Sequence, residues 1–383
     1  MLIRKAFKFR IYPTEGQQEE LARQFGYARF VYNHYRRVRE EYYKETNSGL
    51  NYNDCATDLS EVLKVEKDFL SQADSQVLQQ TLMNLQKAYE NFFEGRADYP
   101  KFKRKHDKQS IRYPQRFKFS TNTIYLPKVG WVKCVYHRNI EGKAKNVTVS
   151  KTKTGKFFAS IQCEMEVAQP VQRADSVGID LGIKHFAVLS TGEKIDNPKH
   201  LKRSERRLKI RQRRLSRKVK GSNSRAKQRQ VVALTHEKVA NQRRDFHHQF
   251  SRYIVDNFGL IGMETLNIKG MVKNHNLAKS IVDAGWGQAV QFVTYKANFA
   301  NAEIVRHDRF FASSKTCSDC GAINQSLVLS ERMWVCASCG TVHDRDTNAA
   351  VNLKPKLLRE SQKVTPVETR EVIRHSAPEA QQL

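Results

Sequence analysis

Two aspartates, Asp344 and Asp346, stand two residues apart in the stretch VHDRDTNAAVNL, residues 342–353. They follow a pair of cysteines and precede an alanine-rich run. Acids are the scarce charge in this chain, which has 67 Lys+Arg against 39 Asp+Glu. One interpretation is a helix start, because Asp and Asn favour N-cap positions. The other is that one of the two acids belongs to a metal cluster assembled from distant parts of the chain.

Two further acids stand in or at the end of apolar strand patterns. Asp180 lies within SVGIDLGIKHFAVL, where an unpaired buried carboxylate would be costly. Glu264 ends the short apolar run LIGME, at a strand end where neighbouring strands converge. Three convergent carboxylates can hold two Mg²⁺ ions about 3.5–4 Å apart for phosphodiester cleavage. Mg²⁺ prefers oxygen ligands and retains waters, so few protein ligands suffice. The set of acids, more than any single one, therefore indicates a two-metal site.

Four of the seven cysteines follow the spacing C-x2-C, fifteen residues, C-x2-C. They are Cys317, Cys320, Cys336 and Cys339. Two such pairs can complete the tetrahedral shell of one Zn²⁺ ion. Disulfides are the alternative, but the odd number of cysteines and the lack of a secretion signal argue against them. The spacing predicts one structural zinc with no open position for catalysis.

The formal charge of +28 predicts a polyanionic partner, and nucleic acid is the usual one. An anionic membrane is the alternative, but the chain has no run of 18 apolar residues and no apolar signal at its start. Residues 201–220 hold eleven Lys/Arg and one Glu, and YPKFKRKHDK interleaves aromatic and basic residues. A solvated surface is the alternative for both segments. The predicted phosphate contacts are Lys101, Lys103, Arg104, Lys105, Arg203, Arg206, Arg207, Arg211, Arg213 and Arg214.

The segments between these residues predict the elements that must position them. The N-terminal KAFKFRIYP alternates apolar and basic residues, which indicates a strand with one buried face. Thr14 and Gln17 form a capping-box pattern before a first helical run, and SQVLQQTLMNLQKAYENFF has the apolar stripe of a second. From about residue 110 the chain is rich in strand patterns. Together with the N-terminal strand, these patterns predict a small barrel interrupted by a helical insertion.

In combination, several motifs are specific to one family. The segments GIDLGIKHFAV, IGMETLNI, VDAGWGQ, TCSDCG…CASCG and HDRDTNAAVN, with the N-terminal KAFKFRIYP…ARFVYNHYRRVREEYY, resemble the TnpB (OrfB) proteins of insertion-sequence transposons. Those proteins are compact relatives of type V CRISPR effectors, and the resemblance extends to about residue 355. It implies an α/β multidomain fold with an RNase H-like RuvC nuclease domain and a zinc ribbon inserted before its last helix. It also implies a wedge-like β-barrel and a helical recognition domain.

The resemblance assigns domains and roles by position. The expected boundaries are 1–13 and 110–172 for the wedge-like barrel, 14–109 for the helical recognition domain, 173–312 and 342–355 for the RuvC domain, 313–341 for the zinc ribbon, and 356–383 for a flexible tail. Asp180, Glu264 and Asp346 match the family's catalytic acids, which would hold two Mg²⁺ ions. The pattern D-x-N-A-A selects Asp346 over Asp344, and side chains two residues apart point different ways. Asp344 is then expected to be a cap or a supporting group.

The implied activity is Mg²⁺-dependent, RNA-guided cutting of DNA beside a short flanking motif. The expected partners are a guide RNA, the double-stranded DNA target and its displaced strand, with no membrane. A monomer in the prokaryotic cytoplasm, associated with the nucleoid, is expected. The candidates for reading the flanking motif are Tyr52, Gln79, Gln80 and Asn84. Two alternatives stay open: a guide-independent transposase that joins DNA strands, and a non-catalytic zinc-ribbon DNA-binding regulator.

Overall fold

The structure is a computed structural model that describes residues 1–328 and 330–355. It divides into two compact units. The first comprises Met1–Gln169 and His200–Arg243, and the second comprises Pro170–Lys199 and the described part of Arg244–Leu383. The expected tail, residues 356–383, lies outside the described residues. Within the described ranges, no helix is both long and apolar enough to cross a membrane.

The first unit contains a seven-stranded antiparallel sheet. Its strands are β1 (Leu2–Tyr12), β2 (Gln109–Tyr113), β3 (Lys118–Ser120), β4 (Thr123–Leu126), β5 (Gly130–Val135), β6 (Lys143–Lys151) and β7 (Phe157–Glu166), in the order β2-β6-β7-β1-β5-β4-β3. The alternation in β1 is confirmed, because Phe7, Phe9 and Ile11 are buried in the core. In the part of the chain described, the ladder ends at β2 on one side and β3 on the other, so a closed barrel stays a prediction.

Helices of the first unit pack on this sheet and on one another. They are α1 (Glu15–Thr46), α2 (Tyr52–Asp58), α3 (Lys64–Glu66), α4 (Ser75–Phe93) and α5 (His200–Ser216), with α6 (Asn223–Asn257) running into the second unit. The capping box at Thr14 and Gln17 is confirmed, since each side chain accepts a hydrogen bond from the other residue's backbone N–H. The apolar stripe of α4 is buried as its spacing predicts. Residues 200–243 were expected within the nuclease domain, and here they group with the first unit.

The second unit is built on a five-stranded mixed sheet. Its strands are β8 (Ser176–Leu181), β9 (His185–Leu189), β10 (Lys194–Asp196), β11 (Leu260–Glu264) and β12 (Glu303–His307), in the order β10-β9-β8-β11-β12. Strands β8, β11 and β12 are parallel, whereas β9 and β10 run antiparallel to their neighbours. The helices are α7 (Ile268–Met271), α8 (His275–Ala284), α9 (Trp286–Ala300) and α10 (Arg345–Leu353). A two-stranded hairpin, β13 (Met333–Val335) and β14 (Val342–Asp344), leads directly into α10.

Candidate metal centres

The structure places two of the three predicted acids near the carboxyl ends of paired strands in the second unit, and the third at the start of a helix. Asp180 lies in β8 and Glu264 is the last residue of β11. Strands β8 and β11 pair in parallel with Ile179 opposite Met263, so Asp180 and Glu264 occupy adjacent positions on neighbouring strands. Asp346 is in the first turn of α10, and its charge acts on Asp180. Three segments far apart in sequence thus bring three acids near enough for the charges of Glu264 and Asp346 to act on Asp180.

The electrostatics of this cluster favour a bound cation. Burial, followed by the charges of Glu264 and Asp346, raises the pKa of Asp180 to about 7. Burial also raises the pKa of Glu264. Carboxylates held together away from water repel one another when ionised, and an ion with several positive charges reverses that cost. Their oxygen atoms are the ligands that Mg²⁺ prefers, so the donor set fits this metal.

An arginine that the sequence interpretation missed contacts the third acid. Arg332 Nη1 donates to both carboxylate oxygens of Asp346, at 2.8 and 3.0 Å. The backbone carbonyl of Arg332 also accepts from the N–H of Arg345, at 2.8 Å. Arg332 immediately precedes β13, in the cysteine-bearing segment. In the sequence, Arg332 was marked only by its place two residues before Trp334, which does not predict a contact with Asp346.

Asp344 has a different function from Asp346. Its side chain is the N-cap of α10 and accepts from the backbone N–H groups of Asp346 and Thr347, at 3.1 and 3.0 Å. Its other oxygen accepts from Lys194 at 2.8 Å. Burial would raise the pKa of Asp344, but the hydrogen bonds from Lys194 and Thr347 outweigh it and hold that pKa below the usual range. The helix-start interpretation is therefore confirmed for Asp344, and the assignment of Asp346 to a metal site stays a prediction.

Two glycines set the position of the helix that carries Asp346. A Cβ added at Gly178 in β8 would collide with the carbonyl oxygen of Ala350. A Cβ added at Gly262 in β11 would collide with the carbonyl oxygen of Leu353. Only glycine therefore allows the backbone of α10 to lie this close to the two central strands.

The four cysteines form a second cluster in the same unit. Their Sγ atoms all lie within 4.8 Å of one another. The Sγ atoms of Cys317 and Cys339 are 3.6 Å apart, as are those of Cys320 and Cys336. A tetrahedron with Zn–S bonds of about 2.3 Å has S···S edges of about 3.8 Å, so the cluster has the dimensions of a zinc shell. No disulfide joins these cysteines, all of which are free thiols.

His343 links the cysteine cluster to α10. Its Nε2 lies 3.0 Å from Cys317 Sγ, and its buried ring packs on Trp334 with centroids 4.8 Å apart. Asn348 in α10 accepts from the N–H of Ser318 and donates to the carbonyl of Thr316. The sequence interpretation missed His343, although it directly precedes Asp344. The ribbon and the helix bearing Asp346 are therefore one hydrogen-bonded assembly.

The predicted phosphate contacts fall into two groups. On α5, Arg203, Arg206, Arg207, Arg213 and Arg214 are exposed, whereas Arg211 is half-buried. Arg211 donates to the hydroxyl of Thr235 and to the carbonyl of Val231, so it joins α5 to α6. Lys101, Arg104 and Lys105 are also exposed. The Nζ of Lys103 lies over the ring of Tyr32, 3.8 Å from its centroid, and its backbone pairs with the Asn33 amide.

The candidates for reading a flanking motif are only partly brought together. Gln80 and Asn84, on α4, line a small cavity of about 100 Å³ with Lys103 and Arg112. Gln79 is exposed on α4 but is not among the residues that line this cavity. Tyr52 packs against the helical core at the start of α2. The structure therefore groups two of the four candidates.

Comparisons with known proteins match nearly the whole chain. Residues 160–275 match a family described as "Probable transposase", residues 286–353 match "Cas12f1-like, TNB domain", and residues 1–48 match "Helix-turn-helix domain". A protein of Streptomyces pristinaespiralis named "Putative RNA-guided DNA endonuclease" is 39% identical over 92% of this chain and 89% of its own length. An Escherichia coli K12 protein, "Putative RNA-guided DNA endonuclease InsQ", is 33% identical over 91% of each chain.

The fold is shared more widely than the sequence. The structure titled "Cryo-EM structure of the Cas12f1-sgRNA-target DNA complex" contains a chain that superposes with a TM-score of 0.59 at 15% identity. The superposition covers 92% of this chain and 98% of that chain. This likeness supports a common α/β architecture. With two relatives above 30% identity, matched over 89% and 91% of their own length, the chain belongs to the TnpB (OrfB) family.

Proposed function

We propose that this protein is an RNA-guided DNA endonuclease that cuts DNA beside a short flanking motif by two-metal phosphodiester hydrolysis. The observation that supports the proposal is that Asp180 and Glu264 occupy adjacent positions on paired strands and that the charges of Glu264 and Asp346 both act on Asp180. Relatives that cover nine-tenths of the chain are named RNA-guided DNA endonucleases, which supports the same function.

The three acids would hold two Mg²⁺ ions, and the other residues of the site would control how they do so. When bound, such ions activate a water and stabilise the leaving oxygen of the phosphodiester. Asp344 fixes the start of α10 and hence the position of Asp346. Arg332 neutralises Asp346 through its two hydrogen bonds, and it would have to loosen when a metal binds there.

One Zn²⁺ ion, held by Cys317, Cys320, Cys336 and Cys339, would stabilise the ribbon. A closed shell of four thiolates leaves no position for substrate, so its role would be structural. His343 would donate from Nε2 to the Cys317 thiolate and so connect the zinc site to the start of α10. Supporting groups of this kind orient metal ligands.

The exposed basic residues outside the metal centres would bind nucleic acid. Base pairing with a guide RNA would choose most of the DNA target and displace one strand, while the protein would read a short duplex motif. Gln80 and Asn84 are the best-placed candidates for that motif, since they line one cavity with Lys103 and Arg112. The first unit would supply the wedge-like and helical recognition domains, the second the RNase H-like RuvC domain and ribbon. The protein would act as a monomer in the prokaryotic cytoplasm at the nucleoid.

A cleavage assay with a rewritten guide tests the proposal. The protein is purified with the RNA that accompanies it in its host, and Mg²⁺-dependent DNA cleavage is measured with that RNA and with its guide segment changed. Cleavage should move to the new target and vanish in Asp180→Ala. Cleavage that ignores the RNA, or products in which DNA strands are joined, would favour a guide-independent transposase, the class suggested by the family name "Probable transposase".

A further inference from the structure

A cleft in the first unit has a lining that neither metal centre uses. It has a volume of about 600 Å³ and lies between α1, residues 105–109, the turn after β6, and α6. That volume is within the roughly 300–1,000 Å³ typical of ligand sites. All of these segments belong to the first unit, so the cleft is complete within it.

Five cations surround this cleft without acidic partners. They are Arg29, Lys105, Lys151, Lys153 and Arg229. Across residues 1–328 and 330–355, none of the five has a carboxylate oxygen within 4.0 Å of its side-chain nitrogens in an ion pair. Asp107 is the one acid among the lining residues, and its carboxylate accepts from the backbone N–H of Arg104. Cations gathered around one cavity repel one another unless an anion enters it.

In the neighbouring hairpin, by contrast, a lysine does form an ion pair with a glutamate. Lys156, five residues after Lys151, contacts Glu237 of α6 at 2.8 Å. Thr154 donates to the same carboxylate at 3.0 Å. These bonds fasten the hairpin to α6 and hold the wall of the cleft in place. Glu237 therefore anchors the hairpin to α6, and it is not among the residues that line the cleft.

The uncharged part of the lining suits a nucleotide strand. Ala22, Ala226 and Ala233 are small and leave room between α1 and α6, and the buried ring of Phe25 lies beneath them. The amide of Gln230 is exposed at the cleft and can donate to or accept from a ribose hydroxyl. A sugar or base can thus lie on the apolar surface while phosphates contact the surrounding cations.

We propose that this cleft binds the sugar–phosphate backbone of the guide RNA at an unpaired segment. The inference rests on the proposed function, since it names a site for the RNA that this function requires. Lys and Arg here contact phosphates and so hold RNA of any sequence. The 2′-hydroxyl is the group by which Gln230 would distinguish RNA from DNA.

The test compares two double variants with equal change in charge. The cleft variant is Lys153→Ala with Arg229→Ala. The control is Lys44→Ala with Lys87→Ala, exposed lysines on α1 and α4 that pair with Glu40 and Glu90 and lie outside the cleft. The dissociation constant for the RNA that accompanies the wild-type protein is measured by filter binding over a range of salt concentrations. Thermal unfolding of both variants checks that each is folded.

Loss of two phosphate contacts should lower the slope of log K against log salt by about 1.4, and raise the dissociation constant about tenfold near 0.15 M salt. The control variant should change neither the salt slope nor the dissociation constant by a comparable amount. The charge-preserving variant Lys153→Arg with Arg229→Lys should bind the RNA as the wild type does. Equal binding by the cleft and control variants would overturn the inference and leave the proposed function standing. So would weaker DNA binding with RNA binding unchanged. A wild-type protein that carries and needs no RNA would remove the proposed function itself.

Discussion

Asp344 and Asp346 should respond to substitution in opposite ways. Asp344→Ala removes the N-cap of α10, which costs about 1 kcal/mol within a range of about 0.5–2. It also removes a contact with Lys194 between side chains that are 33% and 37% exposed, which contributes about 1 kcal/mol or less. The free energy of unfolding should therefore fall by about 1–2 kcal/mol. Cleavage by the folded fraction should be reduced but not abolished, because the metal ligands remain while the cap that positions Asp346 is lost. Asp344→Asn keeps a capping oxygen and should lose less stability.

Asp346→Asn should leave stability nearly unchanged and abolish cleavage. It removes a carboxylate that repels Asp180, and this gain offsets the loss of the contact with Arg332. Cleavage should fall on the order of 10⁴-fold, the scale for removing one member of a catalytic set that acts as a unit. Urea unfolding of Mg²⁺-free protein and Mg²⁺-dependent cleavage per folded molecule are the two measurements. An inactive Asp344→Asn beside an active Asp346→Asn would refute the assignment of the third ligand.

Four other perturbations test the metal centres. Because the folded pKa of Asp180, about 7, lies above its ordinary 3.8, Asp180 binds more protons in the folded Mg²⁺-free protein between these values, and its contribution to the free energy of unfolding should fall as pH rises from about 4 to about 7. Urea unfolding in Mg²⁺-free buffer, with zinc retained, should show a weaker pH trend in Asp180→Asn than in the wild type, while equal trends in the two proteins would contradict this. Arg332→Ala should tighten Mg²⁺ binding up to about fivefold in a thermal-shift titration. The reason is that a partly exposed ion pair, worth about 1 kcal/mol or less, no longer competes with Mg²⁺ for Asp346. Weaker Mg²⁺ binding by this variant would count against the argument. Cys336→Ser should lower the zinc content from about one per chain and reduce hydrogen-exchange protection around the ribbon. The reason is that structural zinc supplies on the order of 10 kcal/mol of apparent binding free energy. A zinc-free, fully ordered ribbon would contradict the assignment. Gly262→Ala should reduce both stability and cleavage, because its Cβ displaces the end of α10 at Leu353, whereas a neutral result would mean that α10 shifts without consequence.

Local patterns in the sequence were enough to predict several elements. The apolar alternation of β1, the capping box at Thr14 and the short strand that ends at Glu264 are confirmed. The cysteine spacing also predicted the cluster that the structure contains. Each of these depends on residues close in sequence, where backbone periodicity and short-range hydrogen bonds decide the outcome.

The sequence alone left the two aspartates open, and only the resemblance selected Asp346. The structure adds a physical reason: the carboxylate of Asp344 is used as the helix cap, and the charge of Asp346 acts on Asp180. Arg211 was predicted to contact phosphate, but its guanidinium bonds to Thr235 on the facing helix. Charge patterns identify a basic surface, but they do not reveal which cations are already occupied by the protein.

Sequence by itself determined the inventory of this protein: acids on two strands and a helix, four thiols at metal spacing, and a large excess of positive charge. Tertiary structure decided which of these groups meet. The contact of Arg332 with Asp346, the approach of His343 to Cys317, and the cleft between α1 and α6 join segments through turns and packing. No local pattern encodes such contacts, because a side chain's partner across the fold depends on the register and packing of every element between them.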